Sequence, residues 1–428
     1  MSIVALSTPA GRSAVAVVRM SGENSIEIAK KVFSPFPKSP NLLKVGNLDT
    51  GDFVERAMCV YFEAPKSFTG ENMVEFHCHG GMAIVTSVIQ VLLDNGARMA
   101  QNGEFSKRAF INGKMNLSET EGVIEMIDAE TTAAVKAGEN LLANNLGKKS
   151  VALQDKLLDL IAKTEVALDY PEEDLEEQTL LETQKETQEI LDEIEKLLST
   201  VKAGKIAKYG IDVAIAGETN VGKSSLLNAL LGYDRAIVSS TAGTTRDTLD
   251  AHLTYKDTKF NFVDTAGIRQ TDNEIERLGI DRAKKTMKEA DLVLFVVNGK
   301  PLAQQEKTLY VLNKCDEIDY SNVNIEDCVV TSAQDNKGIE ELKEKIYKMF
   351  CADEIYSSGQ MLTNARHVDC LNRAKEKLQI VVDNLFCTTV DCSALNIRDA
   401  WSALGEITGT TATEEIIDRI YSKFCLGK

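Results

Sequence analysis

The sequence predicts two α/β regions, one at the amino end and one in the centre. It also predicts an all-α part that the central region divides in two. Up to about residue 115, short β-rich runs alternate with helical stretches punctuated by Gly and Pro. From Ser118 onwards the apolar residues recur at helical spacing over long stretches. The apolar run Ile211 to Ala216 leads into the glycine loop Gly217 to Ser224, which is typical of a strand, phosphate loop and helix.

These textures predict four segments. They are an α/β domain over 1–115, a first helical part over 116–208, a nucleotide domain over 209–352 and a second helical part over 353–428. Because the helical texture resumes after the nucleotide domain, we expect that domain to be inserted into an all-α helical bundle.

Local patterns predict individual elements. The runs Ser13 to Arg19 and Met58 to Phe62 predict strands, and Met82 to Leu93 predicts a helix. Ser118 and Glu121 have the spacing of a capping box, which predicts a helix that opens at Ser118. Apolar stripes predict the faces that the helical domain buries, and they include Leu153, Leu157, Leu160, Thr164 and Leu168, then Ile190, Ile194, Leu197 and Val201, then Leu371, Ala374, Leu378, Val381 and Leu385.

Composition excludes some classes of function. The formal net charge of −17 argues against a chain that grips nucleic acid non-specifically, so any RNA contact should be local or shared with a partner. No apolar run approaches the roughly 18 residues of a membrane span, and the amino end lacks a signal-type pattern. Nine scattered cysteines without a CxxC pair suit a reducing compartment, so we expect a cytoplasmic protein.

The loop from Gly217 to Ser224 fits the pattern GxxxxGK[ST]. Its backbone N–H groups and the start of the helix Lys223 to Leu231 are expected to face the phosphates of a nucleoside triphosphate, with the Lys223 ammonium beside them. The nucleotide contacts predicted from this segment are Asn220, Val221, Gly222, Lys223, Ser224 and Ser225.

Three later motifs complete a Ras-like P-loop GTPase pattern. Asn313-Lys314-Cys315-Asp316 follows a predicted strand, and the aspartate can accept two hydrogen bonds from guanine but not from adenine. Asp264-Thr265-Ala266-Gly267 places a carboxylate for Mg²⁺ and a glycine N–H for the γ-phosphate. Ser332-Ala333 completes the set, although the pair fits an ordinary strand-end turn equally well.

The sequence offers more than one candidate for the residues that catalyse hydrolysis. Ile268 follows the Asp264 motif and cannot orient water, so Glu274 or Glu276 is the candidate, with Arg246 and Arg269 as charge stabilisers; each fits a surface charge equally well.

The segment Ser239 to Arg246 is rich in hydroxyl groups. Thr245 can join Ser224 on Mg²⁺, and with Asn220 the segment could enclose a monovalent cation, although a plain polar loop also fits.

Short motifs along the whole chain resemble those of the tRNA modification GTPase MnmE (TrmE) family. They are TPAGR at 8–12, VRMSG at 18–22, SFTGE at 67–71, HGG at 79–81, GEFSKRAF at 103–110, NGK at 112–114, AGTTRD at 242–247, GEITG at 405–409 and FCLGK at 424–428. The resemblance implies a homodimer joined through the N-terminal domain, with GTPase domains that dimerise when GTP and K⁺ bind. It assigns Glu276 to the attacking water, Lys223 to the phosphates, and Ser224 and Thr245 to Mg²⁺. It assigns K⁺ to Asn220, Ser239, Thr241 and Thr244.

The same resemblance implies that the N-terminal α/β domain binds a tetrahydrofolate derivative, 5-formyl- or 5,10-methylene-tetrahydrofolate. The matching residues are Arg19, Glu75, Lys114 and Lys428. The implied reaction modifies carbon 5 of the wobble uridine of certain tRNAs, with aminomethyl or carboxymethylaminomethyl as the added group. The implied partner is MnmG (GidA), which carries FAD and joins the chain in a heterotetramer or larger complex.

Alternatives remain open. Cys425 in the last motif is a secondary candidate for a nucleophile, but a cysteine between apolar neighbours more often packs. The chain could instead be a regulatory switch in ribosome assembly whose N-terminal domain is a docking module. A third interpretation keeps a folate enzyme beside an inactive nucleotide domain.

Overall fold

The computed structural model describes residues 1–169, 173–218, 220–232, 251–264, 285–298, 306–320, 328–350, 361–384 and 390–427. These residues form two compact units. The first comprises Met1–Ile124, Asn140–Glu195 and Arg366–Lys428, and the second comprises Glu125–Glu139 and Lys196–Ala365. The two units are defined by packing and do not test the domain boundaries predicted near residues 115, 208 and 352, which stay predictions.

The first unit contains a seven-stranded sheet. Its strands are β1 (Ile3–Leu6), β2 (Ser13–Ser21), β3 (Phe33–Ser34), β4 (Lys44–Asp49), β5 (Val54–Phe62), β6 (Met73–Gly80) and β7 (Arg98–Met99). The order is β3-β4-β5-β6-β2-β1-β7, antiparallel except between β1 and β7. Residues of alternating register, such as Val18, Val74 and Phe76, lie in a buried cluster with the helices α1 (Ser25–Val32) and α2 (Met82–Asp94).

The following helices lie wholly or partly in the first unit. They are α3 (Glu104–Ile111), α4 (Leu117–Asp128), α5 (Thr132–Leu142), α6 (Asn145–Asp169), α7 (Glu173–Leu198), α11 (Ala365–Asn384), α12 (Val390–Thr408) and α13 (Glu414–Tyr421). Helices α6 and α12 pack along each other. The stripes are confirmed for the residues whose side chains are described, because Leu153, Leu157, Ile194 and Leu371 are buried.

The predicted start of α4 was wrong by residue and by mechanism. The helix begins at Leu117, so Ser118 lies inside it. The reciprocal cap is made two residues earlier: the N–H of Glu119 donates to Asn116 Oδ1 at 2.9 Å, and the N–H of Asn116 donates to Glu119 Oε2 at 2.6 Å. Asn116 therefore has the role predicted for Ser118, and Glu121 is free for other partners.

The second unit contains a six-stranded sheet of the order β13-β12-β11-β8-β10-β9. Its strands are β8 (Ile211–Gly217), β9 (Ala251–Tyr255), β10 (Thr258–Asp264), β11 (Leu292–Val297), β12 (Thr308–Leu312) and β13 (Cys328–Val330). All pairs are parallel except β9 with β10. The helices α8 (Val201–Tyr209), α9 (Lys223–Leu231) and α10 (Ile339–Phe350) contribute to its apolar core. This is the α/β arrangement that the central motifs predict.

Within the described part of the chain, no helix has both the length and the apolar character that crossing a bilayer requires.

Candidate nucleotide site and N-terminal site

The phosphate loop lies between β8 and α9, where two glycines make close approaches. Gly217 has φ +141°, and a Cβ there would come within 2.2 Å of the Val296 carbonyl oxygen. Gly222 has φ +92°, and a Cβ there would lie 2.5 Å from Asn313 Nδ2. Only glycine fits both positions, because each combines a left-handed backbone with a neighbour that leaves no room for a side chain.

Lys223 is the first residue of α9 and is almost buried, at 8% exposure. Its ammonium donates to the carbonyl oxygens of Gly217 at 2.9 Å and Glu218 at 2.5 Å. These two bonds hold the Lys223 ammonium over the phosphate loop, at the amino end of α9, which favours anions. Ser224 and Ser225 follow on the exposed side of the first turn, and Val221 is buried.

Asn313 joins the phosphate loop to the base-recognition loops. It lies directly after β12 and is 1% exposed. Its Nδ2 donates to the Val221 carbonyl oxygen at 2.9 Å, and its Oδ1 accepts from Thr331 Oγ1 at 3.2 Å and from the N–H of Ala333 at 3.4 Å. One side chain therefore connects the segments that follow β8, β12 and β13.

The loop after Asn313 is braced by residues that no motif named. Tyr320 Oη donates to the Asn313 carbonyl oxygen at 2.6 Å, and the N–H of Cys315 donates to the Thr331 carbonyl oxygen at 3.1 Å. Lys314 between them has φ +64°. Tyr320 and Thr331 give no signal in the sequence, since their roles depend on strands that meet only in the folded sheet.

Asp316 is exposed at the rim of this loop. A hydrogen bond from the Ser332 side chain, together with the local backbone, lowers the pKa of the Asp316 carboxyl group below its ordinary value. Ser332 itself is fully buried, and its Oγ accepts from the N–H of Asp335 at 3.1 Å. An ionised carboxylate at this place has the acceptor chemistry that the N1–H and amino group of guanine require.

The parallel strands bring most of the predicted GTP contacts to one edge. Gly217, Asp264, Asn313 and Ser332 lie at or just after the carboxyl ends of β8, β10, β12 and β13. Other predicted residues of this site lie outside the described part of the chain, and they are Ser239, Thr241, Thr244, Thr245, Arg246, Thr265, Ala266, Gly267, Arg269, Glu274 and Glu276.

The N-terminal candidates Arg19 and Glu75 are register partners on β2 and β6. Arg19 Nε donates to Glu75 Oε1 at 2.8 Å, and both side chains are largely buried. The Arg19 guanidinium also lies 5.7 Å and 5.9 Å from the ring centres of Phe68 and Phe105. Sequence reasoning did not single out these rings as site residues, although both belong to motifs that carried the resemblance.

His77 lies beside this pair, and Lys114 contacts the loop that carries Phe68. His77 Nε2 lies 3.6 Å from Glu75 Oε2, and the atom is buried without a hydrogen-bond partner among the described residues. Lys114 lies just beyond α3, and its ammonium donates to the Pro65 carbonyl oxygen at 3.0 Å, in the loop that also carries Phe68.

The carboxyl end of the chain lies against the same unit. The N–H of Gly103 donates to the Cys425 carbonyl oxygen at 3.4 Å, and Ser7 Oγ donates to the Gly427 carbonyl oxygen at 3.2 Å. The Cys425 residue is exposed, and Lys428 lies outside the described residues.

A phosphate loop and an Asn-Lys-x-Asp loop at the carboxyl edge of a largely parallel sheet define a P-loop GTPase. The family model for the MnmE helical domain matches residues 117–425, and that for the GTP-binding protein TrmE N-terminus matches residues 2–114. The chain belongs to the MnmE family of tRNA modification GTPases and is a GTP-hydrolysing enzyme.

Relatives match over the whole chain. The tRNA modification GTPase MnmE of Lactobacillus gasseri is 39% identical over 456 aligned residues, which cover 100% of this chain and 98% of the relative. The protein of the same name from Desulforamulus reducens is 38% identical over 457 residues, covering 100% and 99%. Among solved structures, the G domain of the T. maritima FeoB iron transporter is 30% identical and covers 32% of this chain and 97% of that chain, with a TM-score of 0.23, too low to support an argument.

Proposed function

We propose that this chain uses GTP hydrolysis in the modification of carbon 5 of the wobble uridine of certain tRNAs. It would act with the FAD-dependent protein MnmG (GidA) and add an aminomethyl or carboxymethylaminomethyl group. The observation that carries the proposal is the Asn313 side chain, which bonds the phosphate loop to the Asp316 loop in a chain of this family.

In the proposed hydrolytic site, the residues divide between the nucleotide, the two cations and the attacking water. Lys223 and the N–H groups at the start of α9 bind the phosphates, and Asp316 accepts from guanine. Ser224 and Thr245 would hold Mg²⁺, which neutralises phosphate charge. Asn220, Ser239, Thr241 and Thr244 would hold K⁺, which adds positive charge where an arginine is used elsewhere. Glu276 would orient water, since Ile268 has no polar group.

In the proposed folate site, the described residues fit the ligand. The Nε2 atom of His77 and the Glu75 carboxylate supply polar groups for a pterin ring, and the half-buried Phe68 supplies apolar surface beside Arg19. Arg19 and Lys114 supply positive charge that glutamate carboxylates need, and Lys428, which lies outside the described residues, would add to it. A bound tetrahydrofolate would supply the one-carbon unit for the modification.

The test of the pathway is nucleoside analysis of tRNA from cells that lack this protein. We expect the wobble modification to be lost and to be restored by the wild-type chain but not by Lys223→Ala. Unchanged tRNA in the deletion strain would refute the proposed role in tRNA modification.

Calorimetry with 5-formyl-tetrahydrofolate tests the N-terminal site. We expect binding that Arg19→Ala and Lys114→Ala each weaken by roughly tenfold or more, because each removes a charge-assisted contact. If the wild-type chain takes up no folate while GTP hydrolysis persists, the regulatory-switch interpretation replaces the folate enzyme.

Steady-state hydrolysis in K⁺ and in Na⁺ tests the cation site. We expect faster turnover in K⁺, and loss of that difference in Asn220→Lys, whose ammonium would occupy the place of the cation. Equal rates in both salts would exclude K⁺ from the mechanism.

A further inference from the structure

The hairpin between β9 and β10 turns through two residues that are unusual for such a turn. Lys256 and Asp257 both have positive φ, at +47° and +61°. Tight hairpin turns with two left-handed residues prefer Asn-Gly, because other side chains are strained there. The presence of an aspartate suggests that its carboxylate has a use that glycine could not serve.

That carboxylate caps a helix of another segment. Asp257 Oδ1 accepts from the N–H of Thr132 at 2.7 Å, and Asp257 Oδ2 accepts from the N–H of Ala133 at 3.0 Å. Thr131 Oγ1 accepts from the next N–H, that of Ala134, at 3.1 Å. The first three N–H groups of α5 are thus all satisfied, two of them by a residue of the nucleotide domain.

Other contacts fasten the same segment within the second unit. Lys259, two residues beyond the turn, pairs with Glu130 at 2.6 Å. Thr131 Oγ1 donates to the Ala207 carbonyl oxygen at 3.3 Å. Lys208 Nζ lies 2.5 Å from Glu125 Oε1. Residues 125–139 accordingly form one compact unit with the nucleotide domain.

The other ends of the two strands lie at the candidate nucleotide site. β10 ends at Asp264, the predicted carboxylate for Mg²⁺, and β9 begins shortly after Thr245, the predicted Mg²⁺ hydroxyl. The two strands are paired along their length, from Thr258 with Tyr255 to Phe262 with Ala251. The paired strands thus connect the nucleotide end of this ribbon to the turn that caps α5.

We propose that Asp257 is a positioning residue that transmits the nucleotide state to helix α5, so that the start of this helix responds to exchange of GDP for GTP. The inference rests on the GTP site of the proposed function. It adds a structural route by which the nucleotide state would affect helix α5, through hydrogen bonds that cap the helix rather than through an apolar interface.

Hydrogen exchange of the full chain in GDP and in a non-hydrolysable GTP analogue tests this route. We expect exchange of the α5 amides at 132–134 to differ severalfold between the two nucleotides. Asp257→Ala should speed their exchange in both states and remove the difference, while GTP affinity and hydrolysis stay within about twofold. In cells, the same variant should hydrolyse GTP but fail to restore the tRNA modification.

Two variants separate coupling from simple loss of structure. Asp257→Asn tolerates the left-handed backbone but has one acceptor oxygen, so it should keep one of the two bonds and give an effect between those of wild type and Asp257→Ala. Lys256→Ala should leave the coupling intact, because Lys256 pairs with Glu344 instead. If Asp257→Ala unfolds the domain, Thr132→Pro provides a second probe, because proline removes one capped N–H at a position that accepts it.

A nucleotide-dependent exchange difference that survives in Asp257→Ala, or is absent from the wild-type chain bound to both nucleotides, would overturn the inference. Failure of the wild-type chain to bind GTP would instead refute the proposed function, so the two failures are distinguishable.

Discussion

At the scale of single residues, a buried asparagine holds the loops of the nucleotide site together. Asn313 connects three loops through bonds to Val221, Thr331 and Ala333. A buried amide with all of these partners fixes the relative positions of the loops, because each broken bond would leave a desolvated polar group.

Asn313→Ala should weaken GDP binding by roughly ten- to hundredfold, since leaving buried partners unsatisfied costs about 1–3 kcal/mol. Fluorescent-nucleotide titration measures this effect. Asn261→Ala is the matched control, because Asn261 also bonds to the backbone, at the Tyr209 carbonyl oxygen, but lies in the middle of β10, opposite the start of β8. Equal losses in both variants would show that the effect is general destabilisation rather than loss of the loop connection.

At the scale of elements, the helices of the first unit are joined by a buried ion cluster. Glu121 on α4 accepts from Arg366 Nε at 2.9 Å and lies 2.8 Å from His367 Nε2, both on α11. Arg366 Nη2 also donates to the Ile407 carbonyl oxygen near the end of α12, at 3.1 Å. Burial opposes ionisation of Glu121, but the neighbouring His367 and Arg366 lower its pKa to about 2.

Glu121→Gln should destabilise the first unit by about 3 kcal/mol at pH 7, because it leaves a buried cation without its counter-charge. Since the folded pKa of Glu121 is below the ordinary value of 4.5, its stabilisation is complete above that pH and is lost as the pH falls towards 2. The difference in unfolding free energy between wild type and variant should therefore begin to narrow below about pH 4.5 and continue to narrow as the pH falls towards about 2.

Urea unfolding followed by the fluorescence of Trp401 measures this gap, because the single tryptophan lies on α12 in the same unit. Glu193→Gln is the control, since the Glu193 pair with Lys156 is half exposed and should contribute less than about 1 kcal/mol. A pH-independent gap for Glu121→Gln would contradict the assignment of the charge cluster.

The sequence predicted the elements of the central domain well, because their signals are local. The helix Lys223 to Leu231 has the predicted bounds, and the strand predicted before Asn313 is present as Thr308–Leu312. The cap of α4 was misplaced because Ser118 and Asn116 are both capable capping residues at nearby positions. The Glu121 cluster and the Asp257 cap could not be predicted, since each joins residues that are more than a hundred positions apart.

At the scale of the whole molecule, the predicted homodimer has an apolar surface available on the first unit. Around β4 and the β4–β5 hairpin, large apolar side chains are exposed, and they are Leu42, Leu43, Val45, Phe53 and Val54. Large apolar side chains exposed on neighbouring strands can contribute to a protein interface.

The double variant Val45→Lys and Val54→Lys should shift the chain from dimer to monomer in sedimentation analysis, because two buried ammonium groups disfavour the interface. Leu395→Lys, on the exposed side of α12, should leave the dimer intact. A monomeric wild-type chain, or a dimer that persists in the double variant, would exclude this surface as the dimer interface.

The most direct test of the central claim is calorimetry of the full chain with GDP and xanthosine diphosphate. We expect the wild-type chain to bind GDP. We expect Asp316→Asn to lose at least roughly a hundredfold in GDP affinity and to bind the xanthine nucleotide instead, since an amide N–H complements the xanthine carbonyl. Absence of GDP binding, or a GDP affinity that Asp316→Asn leaves unchanged, would contradict the assignment of this sheet edge as a guanine-nucleotide site.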